Sequence, residues 1–164
     1  MSVCTVDGVA SPMCATCGIL WDAGYFDESR VIDLSVQPLN PGDELVLARY
    51  QLHRNYCGIL MSFAQFTDKY GHDNSQVLTP GYQWLVRVNG LPRDPYLPLD
   101  HILNPWGQAG MPVHLRLEEG GLVEMAIRNT DVNTGDPREL KIVGGRITGR
   151  FWYNTDFGGR PNRL

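Results

Sequence analysis

The chain lacks an excess of basic charge. Fourteen Lys and Arg stand against eighteen Asp and Glu, a formal net charge of −4, and the pI is near 5.5. A nucleic-acid binder should turn a basic face to phosphate, so that class is set aside. No run of about 18 apolar residues occurs, so no segment reads as a membrane-spanning helix. The first residues have neither the basic nor the apolar region of a secretory signal, which implies folding in a cytoplasm. Catalytic signatures are missing too. There is no Gly-x-Ser-x-Gly elbow and no phosphate-binding glycine loop between a strand and a helix. His53, His72, His101 and His114 are scattered, with no His-x-His pair that could seed a metal-dependent enzyme, and His114 alternates out of its strand into water. Glu118, Glu119 and Glu124 flank a loop, where solvated acids are the default; a pair of glycosidase carboxylates stays open, because any two acids could meet in space. The expectation is a protein that is not an enzyme and holds no cofactor.

Cysteine is sparse and clustered. Three of the four cysteines, Cys4, Cys14 and Cys17, fall in the first seventeen residues, and Cys57 stands apart. Cys14 and Cys17 have the spacing of half a zinc site, a redox pair or a disulfide. A second such pair is absent, so zinc on Cys4, Cys14 and Cys17 would need Cys57 or a histidine to complete it. No strand-helix-strand pattern surrounds the pair, which removes a thioredoxin-like reading. A link or close contact between Cys4 and Cys14 or Cys17 is expected, beside the alternative of reduced, packed thiols.

What the chain has in quantity is turn formers and alternation. Eighteen glycines and eleven prolines among 164 residues favour many short strands. The hydrophobic fraction of 43% and charged fraction of 20% are ordinary for one globular domain. In residues 111–129, Val113, Leu115 and Leu117 alternate with polar residues, and so do Val123, Met125 and Ile127 after two glycines. That period of two predicts two strands with one apolar face each. Paired as a hairpin, Leu117 opposite Val123, they leave Glu119 to Gly121 as an odd-length loop, with Gly121 at positive φ. A first strand is expected over 31–36, a turn over 40–43, and apolar strands over 44–52 and 58–66. Another covers 82–88, with Tyr82, Trp84, Val86 and Val88 on one face and Asn89-Gly90 as its turn. Residues 91–112 hold five prolines and read as a long loop that packs at an interface. The last strands fall in 140–154, with Gly144-Gly145 read as a bulge. Two packed antiparallel sheets, an all-β sandwich of jelly-roll type, is the architecture expected for residues 31–156.

Residues 1–30 carry no clean period yet contain Ile19, Leu20, Trp21, Tyr25 and Phe26, too apolar to leave in water. They read as an N-terminal docking arm, and 157–164 as a C-terminal tail. Tyr96 and Trp106 in the long loop, and Trp152 beside Arg150 on a strand, complete the interface candidates. Trp84 reads as core. An exposed tryptophan also suits a sugar, so a glycan-binding module is the competing class.

From 31 to 154 the order of motifs resembles a group of small virion proteins of tailed bacteriophages. The landmarks are Leu47-Ala48-Arg49-Tyr50, Gly58-Ile59-Leu60 with Phe63, Trp84-Leu85-Val86-Arg87-Val88-Asn89-Gly90, the proline-rich stretch, Arg128-Asn129 after a strand, and Gly149-Arg150-Phe151-Trp152-Tyr153. About three quarters of the chain is covered, with residues 1–30 outside it. The resemblance implies a non-enzymatic jelly-roll domain built into the virion after assembly in the host cytoplasm, often as a homotrimer. The leading role is capsid decoration or cementing against the major capsid protein or another virion protein. A head-tail or tail component comes next, with no nucleic acid or membrane as partner.

Overall fold

The computed structural model describes residues 23–68, 81–92, 111–130 and 140–153, with short paired segments at 5–6, 9–10, 77–78 and 101–102. No helix occurs among the described residues. The strands are β1 (Thr5–Val6), β2 (Val9–Ala10), β3 (Gly24–Asp33), β4 (Glu44–Gln51), β5 (Tyr56–Thr67), β6 (Val77–Leu78), β7 (Tyr82–Val88), β8 (Leu91–Pro92), β9 (His101–Ile102), β10 (Met111–Leu117), β11 (Leu122–Asn129) and β12 (Ile142–Tyr153). Two four-stranded antiparallel sheets make a β-sandwich, one in the order β10-β5-β12-β3 and the other β4-β11-β7-β8. β1 pairs with β2, and β6 with β9.

The pairing of the eight strands in the two larger sheets is nested. In chain order the first pairs with the last, β3 with β12, and the second with the seventh, β4 with β11. The third pairs with the sixth, β5 with β10, and the fourth with the fifth, β7 with β8. Cross-pairs β5 with β12 and β7 with β11 then close each sheet.

Between the sheets lies the core that alternation selects. Trp84, Val86, Val88, Val113, Leu117, Val123, Met125 and Ile127 are buried as expected, while Leu115 and Phe151 are only partly buried against them. Leu85 and Ala126 point to the opposite face of the second sheet, opposite each other in register, and are buried too. Among the described residues no buried side-chain nitrogen or oxygen lacks a hydrogen-bond partner.

Four expectations are corrected. β10 and β11 alternate as read, but they are not a hairpin: Leu117 pairs with Gly58, and Val123 pairs with Tyr50 and Val88 in the other sheet. A period of two fixes which face is apolar, not which strand lies alongside. The turn between them places Gly120, not Gly121, at positive φ (63°), and the Gly121 N–H donates to the Glu118 carbonyl at 2.8 Å. That corner is laced to the β4–β5 corner: Leu52 N–H donates to Gly121 O at 2.9 Å, Asn55 N–H to Glu119 Oε1 at 2.8 Å, and Gln51 Nε2 to Gly120 O. Gly144 and Gly145 lie in regular register, and the bulge falls instead between Thr148 and Gly149 against β5. Finally, the first strand begins at Gly24, seven positions before the expected 31, which brings Tyr25 and Phe26 into the sheet.

Phe26 shows why that strand belongs there. It is 3% exposed and stacks on Tyr50 of the facing sheet, ring centroids 4.3 Å apart and 6° from parallel. Across the ladder it sits opposite Gly149, while Gly24 sits opposite Phe151. A Cβ on Gly149 would overlap the Phe26 ring and the Ile59 carbonyl oxygen. Each aromatic therefore lies over the glycine of the neighbouring strand, a cross-strand fit that clamps β3 to β12.

Candidate interaction surface

The outer face of the first sheet is set by alternation. Val143 and Ile147 of β12 and Phe26 and Ile32 of β3 enter the core, so Arg146, Thr148, Arg150 and Trp152, with Tyr25, Asp27, Ser29 and Val31, face away from it. In register, Tyr25 lies beside Arg150, Asp27 beside Thr148, Ser29 beside Arg146 and Val31 beside Gly144. Arg150 lies six positions beyond Gly144, roughly 20 Å along the strand.

Polar contacts hold the middle of this face. Arg146 grips Asp27 with both arms of its guanidinium, Nε to Oδ1 at 2.7 Å and Nη2 to Oδ2 at 2.5 Å. The Arg146 hydrogen bond holds the Asp27 carboxyl below its ordinary 3.8, and the carboxylate in turn raises the guanidinium. The Ser62 and Thr148 hydroxyls meet at 2.6 Å. At one end Arg150 fixes where the chain comes into β3, donating from Nη2 to Ala23 O at 2.6 Å and from Nε to Gly24 O at 3.1 Å. Trp152 is half-buried there, opposite the buried Cys57. At the other end, exposed Val31 and Ile142 gather with half-buried Phe66 around Gly144.

Of the interface candidates, the structure therefore brings Tyr25 and Trp152 to one end of one face, with Arg150 between them. Phe26 points inward, so of that pair only Tyr25, 58% exposed, is open to a partner. Ile19, Leu20, Trp21, Tyr96 and Trp106 lie outside the described residues, as do Cys4, Cys14 and Cys17 and the contact expected among them. His53 and His114 stand exposed, one in the β4–β5 corner and one on β10. Among the described residues no three His, Cys, Asp or Glu side chains gather as a metal-holding group, and no helix is long and apolar enough to cross a membrane. No family model, curated protein or solved structure matches the chain.

The free edge of β3 was not legible as a feature of its own. Among the described residues β3 pairs only with β12, and seven of its ten residues are exposed. Glu28 and Arg30 share the inward face with Phe26 and Ile32 yet remain exposed. Two charges at core-facing positions mark a strand at the margin of a sheet. Burial, and then the Glu28 charge, raise the pKa of the Tyr50 phenol inside that margin. The second sheet carries its charge differently: Glu44 receives both arms of Arg87 and, at 3.0 Å, Arg128. The Arg87 hydrogen bonds hold its carboxyl below the ordinary 4.5 against the opposing effect of burial.

Proposed function

We propose that this chain is a non-enzymatic bacteriophage virion protein of the jelly-roll type, a capsid decoration or cement protein that stabilises the head by bridging capsomers. The observation that supports it is the nested pairing of eight strands over two sheets. A long antiparallel hairpin rolled so that its four strand pairs divide between two sheets has the connectivity of a jelly roll. Together with the motif order that resembles phage virion proteins, this is the architecture such a role uses. The partners are copies of the chain itself, as a homotrimer, and the major capsid protein or another virion protein.

The outer face of the first sheet is the surface offered for that role. Tyr25, Val31 and Ile142 expose apolar area next to a polar centre, and two apolar ends about 20 Å apart suit a contact that spans a seam. Many weak copies add up through avidity, so no single contact has to be strong. Mixing the purified chain with undecorated capsids and pelleting them should bring the chain down, and Tyr25→Asp with Val31→Asp should leave it in the supernatant while still folded. A wild-type chain that stays in the supernatant, yet binds a glycan array through Trp152, would replace this reading with the glycan-binding one.

A further inference from the structure

We infer that the edge of β3 away from β12, unpaired among the described residues, is the seat of a two-fold contact between copies of this chain, in which two β3 strands pair antiparallel about Ser29. The inference is independent of the virion reading, because it rests only on the edge strand itself.

A two-fold axis that joins two sheet edges runs perpendicular to the sheet, so residues on one face meet residues of the same face. The possible registers therefore centre on single residues. Centred on Glu28 or on Arg30, the pairing would set like charges directly opposite each other, which is unfavourable. Centred on Ser29, it sets Glu28 opposite Arg30 of the second copy, and Arg30 opposite its Glu28. Both side chains are exposed, and the Arg30 guanidinium has one long contact, 3.5 Å, to Gln37 Oε1. The same register places Phe26 opposite Ile32 on the inward face and carries the pairing from Tyr25 to Asp33, almost the whole strand.

The outer face is compatible with this register, although Tyr25 and Val31 would lie directly opposite only about Glu28, where like charges meet. Tyr25 is 58% and Val31 64% exposed. About Ser29 they become diagonal neighbours across the new ladder, twice by symmetry, at a separation an aromatic side chain spans. The charges that would deter an unrelated strand are thus matched in one register only. The joined sheet would run through eight strands, and the edge backbone groups of β3 that pair with nothing among the described residues would be satisfied.

The test is sedimentation of the full chain with charge reversals at these exposed positions, folding being checked by circular dichroism. The wild type should form this two-fold contact in a salt-sensitive way, as a dimer of chains or of trimers. Glu28→Arg alone and Arg30→Glu alone should each weaken the dimer roughly tenfold or more, since two pairs turn from attraction to repulsion. The double reversal should restore it, and an equimolar mixture of the two single reversals should form mixed dimers. A wild type that is monomeric throughout, or any oligomer that ignores the single reversals, would overturn the inference.

Discussion

β11 and β3 are strands of similar length in opposite sheets, and they are held in opposite ways. β11 runs between β4 and β7, with Val123, Met125 and Ile127 buried on its inner face and Ala126 on its outer one. β3 has one neighbour among the described residues, and only Phe26 and Ile32 of its ten residues are buried. With two neighbours and a facing sheet, β11 keeps its two charges, Glu124 and Arg128, off the inner face and paired with Arg49 and Glu44. With one, the middle of β3 carries Asp27, Glu28, Ser29 and Arg30 without loss. Stability is concentrated in the first kind of strand, and surface available for recognition in the second.

The sharpest way to test that division is to place the same charge in both sheets. Val86→Asp sets a carboxylate beside β11 with no partner, at a cost of several kcal/mol out of the about 5–15 available to a domain. Soluble folded protein should be lost on expression. Val31→Asp, on exposed β3, should fold with an unfolding midpoint close to wild type.

Removing part of β3 comes next. A chain beginning at Val31 loses Phe26, the Asp27–Arg146 pair and the carbonyls held by Arg150, whereas one beginning at Ala23 keeps all three. We expect the shorter chain to unfold at clearly lower urea and the longer one to keep its β-sheet circular dichroism. Equal midpoints would show that β3 is a passenger on β12.

Phe26→Ala tests the larger of the two buried anchors of the edge strand. It removes the ring stacked on Tyr50 and laid over Gly149, and buried Phe→Ala changes cost about 3–5 kcal/mol. A value at the lower end is expected, read from denaturant unfolding, because the margin of a sheet can relax. A loss under about 1 kcal/mol would mean that the ring is not part of the core.

The smallest effect is acid sensitivity at the β4 edge. The folded pKa of Glu44 lies below its unfolded 4.5, so the folded chain binds fewer protons there. Its contribution is complete above that unfolded value and is lost as pH falls through the folded one. Unfolding midpoints measured between about pH 6 and 3 should fall, and Glu44→Gln should remove part of that slope. An unchanged slope would place the acid response elsewhere, Asp27 and Asp33 being the other carboxyls held low among the described residues.

The sandwich was legible because β7, β10 and β11 alternate and turn formers separate the apolar runs. β7 and β11 could be read residue by residue, and the Asn40–Asp43 and Asn89-Gly90 turns fall where their residues put them. Partners were not legible: β10 and β11 have matching apolar faces because they face one core from two sheets, and a hairpin produces the same pattern. The start of β3 was missed for a related reason. Glu28 and Arg30 break the alternation on its inward side, so only 31–36 looked like strand. For the surface, the sequence pointed to Tyr25 and Trp152 separately; their shared face depends on a ladder joining residues 127 apart in the chain.

That ladder also sets the order of events during synthesis. β3 leaves the ribosome first among the eight sandwich strands, and β12, its partner among the described residues, comes last. Until β12 arrives, β3 has no sheet to join and β5 has only β10. Folding dominated by such distant pairings is slow, milliseconds to seconds for all-β domains, and stopped-flow refolding of the full chain should fall in that range. A strand kept waiting so long is an aggregation hazard if it is apolar on both sides. The charges of Asp27, Glu28 and Arg30 keep this one soluble in the interval, and the Phe26–Gly149 fit then lets β12 capture it.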